Sequence, residues 1–342
     1  MVRTNQPTQE EWRALYEAAA MFKRASCWKW MYDDDIFGVA NPETGEVAYC
    51  CIMGNAGEHY GIAAYLGPEG LEGVLGLLSG DSDPENFDHV FSQKCLMCSF
   101  EDRAMLGPKD LKLIKDLNLK FRGKNEWPFF QSYEPGKAPW FLNSEQCRFL
   151  THILNQALTV SIHCQDEKTI LKHDLTRTFL TRSYQKSGDG RPEWNNQYLT
   201  AEEFSPEFAS FCIRDEIRLR RLKGVKSNQN LIIEADTYYL PTPVKEEGRP
   251  YFPKVCVFID HQSGMALSVE MVEDIQIEGY NFIENLMSFI EQNHLKPAKI
   301  MVARDETYYL LHDVCEQLGV KLEKVEYLQF AEEFREEMFE HI

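Results

Sequence analysis

Apolar positions along the chain recur with two periods, and their clearest succession spans residues 230–328. Leu231–Leu240, Lys254–Asp260 and Ala266–Val272 are runs rich in β-branched and aromatic residues. Bounded by Gly, Pro and Asp, they read as strands, the last two joined as a hairpin through His261-Gln262-Ser263-Gly264. Phe282, Ile283, Leu286, Ile290 and Leu295 follow at helical spacing. A strand over Lys299–Ala303, a helix from about Thr307 to Leu318 stopped by Gly319, and a strand near Leu322–Leu328 complete the order βββαβαβ.

Upstream, Thr8-Gln9-Glu10-Glu11 is a capping box, and Trp12, Leu15, Tyr16, Ala19 and Phe22 recur at helical spacing. The pattern predicts a helix to about Trp30, closed by the solvated turn Asp33-Asp34-Asp35. Ile36–Ala40, Val47–Met53 and Tyr60–Leu66 predict an antiparallel meander. The glycines from Gly54 to Gly76 form neither G-x-G-x-x-G nor G-x-x-x-x-G-K-[ST], so turns and close packing account for them. Gly107-Pro108 opens a short helix to about Leu117, and Asn143-Ser144 caps one carrying Phe149, Leu150, Ile153, Leu154 and Leu158. Two strands are expected within 175–200, around the turn 187–192. Ser205-Pro206 then starts a helix with Phe208, Phe211, Cys212 and Leu219 inward, ended by Gly224. The polar stretch 226–230 sets the expected boundary. An α+β domain with an antiparallel sheet fills 1–225, with a subdivision near 120–143 as a variant, and an α/β domain fills 230–342.

Composition narrows the function classes. The 342 residues are 44% hydrophobic and 26% charged, the proportions of a globular protein. Acids exceed bases by 18, which disfavours a role driven mainly by nucleic-acid phosphates while leaving a local basic face open. No run of eighteen apolar residues is present and Met1–Gln6 has no apolar core, so neither a membrane partner nor a signal peptide is expected and the location follows as cytoplasmic. Ten cysteines lie mostly in apolar runs and are expected as buried free thiols. Cys95-Leu96-Met97-Cys98 sits in a strand-like run, where residues three apart face opposite ways, so it is not read as a zinc set.

Two clusters could bind a partner. The aromatic, proline-rich segment 121–141 offers Arg122, Lys124 and Trp127 as a stacking wall, against the alternative of packing on the preceding sheet. Arg214, Arg218, Arg220, Arg221 and Lys223 are the one basic concentration. From it Arg218 and Arg221 could touch nucleic acid, or the group could pair with the acidic tail Glu332–Glu340. His152, His163 and His173 share no helical face and form no ligand set.

The order βββαβαβ, with Asp236 on the first strand and Asp305 just past the fourth, resembles the ribonuclease H-like fold of DDE-type transposases and integrases. That resemblance implies parallel first and fourth strands whose carboxylates share Mg²⁺ or Mn²⁺ ions about 3.5–4 Å apart. It implies a third acid on a later helix, for which Glu332, Glu333 and Glu336 are present. Asp35-Ile36-Phe37-Gly38-Val39, Asn41-Pro42-Glu43-Thr44-Gly45, Gly57-Glu58-His59-Tyr60-Gly61 and Arg122–Pro128 make nearly the whole chain similar to an uncharacterised bacterial family of two fused domains of unknown function. The leading expectation is a non-catalytic binding or regulatory protein that needs no cofactor. The alternative is a Mg²⁺- or Mn²⁺-dependent nuclease or phosphoryl-transfer enzyme using Asp236, Asp305 and Glu332.

Overall fold

A computed structural model describes residues 5–79, 88–166, 171, 177–186, 192–245 and 248–341. Contacts divide the chain into two compact units, Met1–Pro135 with Pro139–Phe204, and Gly136–Ala138 with Ser205–Ile342.

In the first unit α1 (Gln9–Ala25) precedes β1 (Phe37–Ala40), β2 (Val47–Met53) and β3 (Gly61–Leu66). Next come α2 (Gly67–Ser79), α3 (Asp88–Phe91), β4 (Cys95–Glu101), α4 (Pro108–Asp116), β5 (Trp127–Glu134) and β6 (Lys137–Trp140). A long α5 (Ser144–Asp166) leads to the hairpin of β7 (Thr178–Lys186) and β8 (Pro192–Thr200). The strands form one eight-stranded sheet in the order β6-β5-β4-β3-β2-β1-β7-β8. The meander pairs antiparallel, and β1 meets β7 in parallel. Alternation sends Cys50, Ile52, Leu96 and Cys98 to the face covered by α1 and α5, and Tyr49, Cys51 and Cys95 to the face covered by α2. Cys95 and Cys98 therefore belong to different cores.

Three elements depart from expectation. The first helix stops at Ala25 rather than near Trp30, because Ser26 turns left-handed at φ 52° and accepts the chain into a single 3₁₀ turn, Cys27–Lys29. Of the glycine series, Gly54 and Gly57 do lie in a turn, at φ 125° and 84°, and Gly61 opens β3, but Gly67, Gly70, Gly73 and Gly76 lie in α2 rather than in turns. Close packing is nonetheless real at Gly70, where a Cβ would meet the Lys94 carbonyl oxygen at 2.8 Å. The aromatic stretch after residue 126, offered as a stacking wall or as a segment packed on the preceding sheet, is itself part of that sheet, a β5–β6 hairpin turned at Gly136, φ 71°. Its period-2 burial, with Pro128, Phe130 and Ser132 inward, is masked in the sequence because the outward positions are aromatic too. His173 and the turn 187–191 lie outside the described residues.

The second unit opens with an extended segment and α6 (Glu216–Lys223). The helix expected from Ser205 is thus confined to its last two turns, capped by the Asp215 carboxylate on the Ile217 and Arg218 N–H groups. The backbone of Ile213 instead bonds the side chain of Gln317, with its N–H 2.7 Å from Oε1, and Cys212 ends up exposed. Then follow β9 (Ser227–Tyr239), β10 (Lys254–Asp260), β11 (Ala266–Val272), α7 (Ile275–Glu278), α8 (Tyr280–Asn293), β12 (Lys296–Val302), α9 (Asp305–Leu318), β13 (Lys321–Lys324) and α10 (Gln329–Glu340). Residues 227–230 are not a linker: Ser227 and Asn228 already pair with Lys296 and Pro297.

The five strands lie in the order β11-β10-β9-β12-β13. β9 is antiparallel to β10 and parallel to β12, as the right-handed crossover through α8 demands. This is the ribonuclease H-like arrangement. One sheet face is buried under α8 and α9, the other under α10. Buried Lys296 ties two helix ends to β12, its ammonium donating to the carbonyls of Leu318 (2.7 Å) and Lys223 (3.2 Å).

Candidate functional site

Alternation along the central strand β9 decides which side chains meet which helix. Ile233 and Ala235 join the core under α8 and α9, while Tyr238 joins the core under α10. Glu234 and Asp236 share the Tyr238 face. Both carboxylates are buried, at 0% and 1% exposure, so each must be hydrogen-bonded or ion-paired within the fold.

Glu234 caps a helix that brings no cap of its own. Leu328 occupies the N-cap of α10 without a side-chain bond, and the Ala331 N–H in its first turn donates to Glu234 Oε2 at 2.9 Å. His261, from the β10–β11 turn, approaches the other oxygen at 2.6 Å from Nδ1.

Asp236 is met by a cation. The Arg304 Nε–H donates to Asp236 Oδ1 at 3.0 Å, and the Arg304 side chain is itself only 20% exposed. Buried Arg335, on α10, pairs with Glu332 one turn before it. All four charges act on the Tyr238 hydroxyl. Burial first, then Asp236, push that phenol above its ordinary range, Arg335 and Arg304 oppose the rise, and Glu332 adds to it. Three carboxylates, of Glu234, Asp236 and Glu332, and two guanidiniums thus gather on this face.

Of the three acids singled out in the sequence, Asp236 and Glu332 therefore come together around Tyr238. Asp305 does not turn inward with them: it is the first residue of α9, 57% exposed, and forms an ion pair with Lys324 of β13. Nor does it cap α9, whose N-cap position is held by Arg304. On the opposite face of β9, Thr237 bonds Thr307 at 2.9 Å and Glu306, which also takes the ammonium of Lys254 at 2.6 Å.

The binding candidates separate likewise. Arg122 and Lys124 are exposed, whereas Trp127 is half-buried between Phe121 (5.8 Å between ring centroids) and the guanidinium of Arg103 (5.9 Å). Arg218 and Arg221 pair neither with the acidic tail nor outward. Arg218 is bidentate to Glu284 (2.7 and 2.9 Å) and reaches Glu291, which also takes Arg221, both acids lying on α8. His312, Asp313 and Glu316 on α9 are the one three-ligand group among the described residues, and Asp313 there already accepts the Ser210 hydroxyl at 2.6 Å.

Sequence reasoning missed Arg304, Arg335 and His261, the partners that decide what the buried acids do. The available signal was local: Arg304 directly precedes Asp305, and His261 opens the hairpin turn.

No curated protein matches the chain. In structure it is similar to the HTLV-2 integrase catalytic core domain in complex with magnesium, at 18% identity and a TM-score of 0.23, over 32% of this chain and 66% of that one. It is similar to the simian T-cell lymphotropic virus intasome in complex with PP2A regulatory subunit B56 gamma, at 16% identity and a TM-score of 0.23, over 34% of this chain and 38% of that one. A third likeness, to the Mos1 strand transfer complex, has 10% identity and a TM-score of 0.21, over 79% of this chain and 78% of that one. The chain spans less than two thirds of the first two of these chains. Among the described residues no helix is long and apolar enough to cross a membrane. Residues 218–339 match a second domain of unknown function, DUF6930. Residues 12–182, half of the chain, match the domain of unknown function DUF7309, and the protein belongs to that family.

Proposed function

We propose that the ribonuclease H-like unit is a binding or regulatory module that does not carry out metal-dependent phosphoryl transfer, and that the protein works in the cytoplasm. The observation behind this reading is the Arg304–Asp236 ion pair on the parallel strand pair. A two-metal site needs carboxylates that face one open cavity and are free to coordinate. Here Asp236 is buried against a guanidinium, Glu234 spends both oxygens on His261 and the α10 backbone, and Asp305 turns out to Lys324. These residues as arranged do not fit a divalent ion. The net charge of −18, and the internal pairing of Arg218 and Arg221, speak against a nucleic-acid polymer as the partner.

A thermal-shift titration with Mn²⁺ tests the reading. Neither the wild type nor Asp236→Asn should change its melting temperature when the metal is added. Stabilisation of the wild type that vanishes in Asp236→Asn would favour the nuclease reading with Asp236, Asp305 and Glu332 as ligands.

A further inference from the structure

The first unit carries a cleft of about 530 Å³ beside α4 and the end of β6, within the size range of small-molecule sites. Trp12, Trp140 and Phe141 supply three aromatic walls, and Leu113 adds an aliphatic one. The Lys109 ammonium lies 5.4 Å from the Trp140 ring centroid and 4.7 Å from that of Phe141. None of the lining residues is acidic, in a chain whose net charge is −18. Lys109 is exposed and forms no ion pair within 4 Å among the described residues, although the charge of Asp110 beside it acts on it. Neighbouring Asp110 is turned to the α4 N-terminus, where it accepts the Gly107 N–H at 3.0 Å.

Asn143 adds a polar group. Its Oδ1 caps α5 by accepting the Gln146 N–H at 2.9 Å, which leaves its amide Nδ2 to donate elsewhere. An aromatic wall, an unpaired ammonium and a spare amide donor suit a flat heteroaromatic ring that bears an anion. We infer that this cleft binds a 5′-mononucleotide. The base displaces the ammonium from the face of Trp140 and stacks there, Asn143 Nδ2 donates to an acceptor on the base edge, and Lys109 swings to the phosphate.

The inference goes beyond the reading of the second unit and uses none of its residues, so the metal titration and the nucleotide titration fail separately. Calorimetry on the full chain would use AMP, GMP, CMP and UMP, with adenosine, inorganic phosphate and a single-stranded octanucleotide as comparisons. At least one mononucleotide should saturate with a dissociation constant below about 1 mM. Adenosine and inorganic phosphate should each bind about tenfold more weakly or worse. The octanucleotide should gain nothing over the mononucleotide. Lys109→Gln, on an exposed residue, should weaken nucleotide binding about tenfold without changing adenosine binding or the melting temperature, and Lys109→Arg should restore it. Saturation by none of the four nucleotides, equal binding of AMP and adenosine, tighter binding of the octanucleotide, or an unchanged affinity in Lys109→Gln would overturn it.

Discussion

Replacing Arg304 by Met takes a guanidinium away from the Asp236 carboxylate, which is 2% exposed at its side chain. Removing one partner of a buried ion pair costs about 3–5 kcal/mol, because the remaining charge stays desolvated. Arg335 lies on the same face and offsets part of that loss, so ~2–3 kcal/mol is expected. Asp236→Asn leaves a neutral amide beside the guanidinium and should cost ~1–2 kcal/mol. In the double variant Arg304→Met with Asp236→Asn no charge is stranded, and its stability should return to within about 1 kcal/mol of wild type. The coupling energy of the cycle is then at least about 2 kcal/mol. Urea denaturation followed by circular dichroism, with unchanged m-values across the four proteins, measures it. Removing the guanidinium also leaves Asp236 and Glu332 to share a cation, so Arg304→Met should gain thermal stability in Mn²⁺ where the wild type does not. A cost below about 0.5 kcal/mol for Arg304→Met, or strictly additive singles, would refute the reasoning that this pair locks the face.

Nine cysteines are buried and Cys212 is exposed; burial pushes Cys95 and Cys256 up to about 12. One thiol per chain should therefore react rapidly with a disulfide reagent in the native state and ten after denaturation, with no stoichiometric zinc. In the first unit, Arg148 bridges Glu11 (2.7 Å) and Glu43 (2.6 Å) and joins α1, α5 and the β1–β2 turn. Burial works to raise the Glu11 carboxyl, but bonds from the Ser144 hydroxyl, the Thr8 N–H and Arg148 outweigh it and hold it at about 2. A depressed carboxyl stabilises the fold above its unfolded value and loses that contribution as pH falls toward the folded one. With Glu11 17% and Arg148 35% exposed, solvent screening reduces the effect to ~1–2 kcal/mol. Acid titration of Arg148→Met should accordingly show a smaller stability loss than the wild type between pH 4.5 and 2, the bonds from Ser144 and Thr8 keeping the remainder. Finally, Glu234→Leu removes the cap of α10 and should cost ~1–2 kcal/mol, with amide exchange accelerated in 329–340 before the rest of the unit; uniform acceleration would show that Glu234 does not hold that helix.

The fold of the second unit was legible because its strands are long, β-branched and cleanly punctuated. Lys254–Asp260 and Ala266–Val272 were bounded to the residue by Gly, Pro and Asp. Legibility failed where apolar content lost its period. Phe208, Phe211 and Cys212 look like one helical face, yet the carbonyl and N–H of Ile213 bond the side chain of Gln317, 104 residues away in sequence, and no helix forms there. A tertiary hydrogen bond of that kind leaves no local trace. The glycine-rich α2 escaped for a related reason. Its helix-poor composition is offset by close packing on β3 and β4, visible at Gly70 and absent from intrinsic propensity.

The carboxylates of the site were legible and their chemistry was not, and the cause is a matter of one strand end. β9 and β12 are registered with Met301 opposite Glu234, and Met301 and Ala303 both join the core under α10. Continued alternation would have carried Asp305 to that same face and set it near Asp236. The strand ends at Val302, however, and α9 begins at Asp305. Arg304 is still extended, at φ −89° and ψ 143°, and the backbone turns helical at Asp305, so alternation no longer predicts the direction of that side chain. Arg304 faces Asp236, and Asp305 faces Lys324. Whether the parallel pair presents two acids or an acid and a guanidinium thus depends on the turn rather than on the strands. A pattern read along β12 cannot reach beyond its last residue.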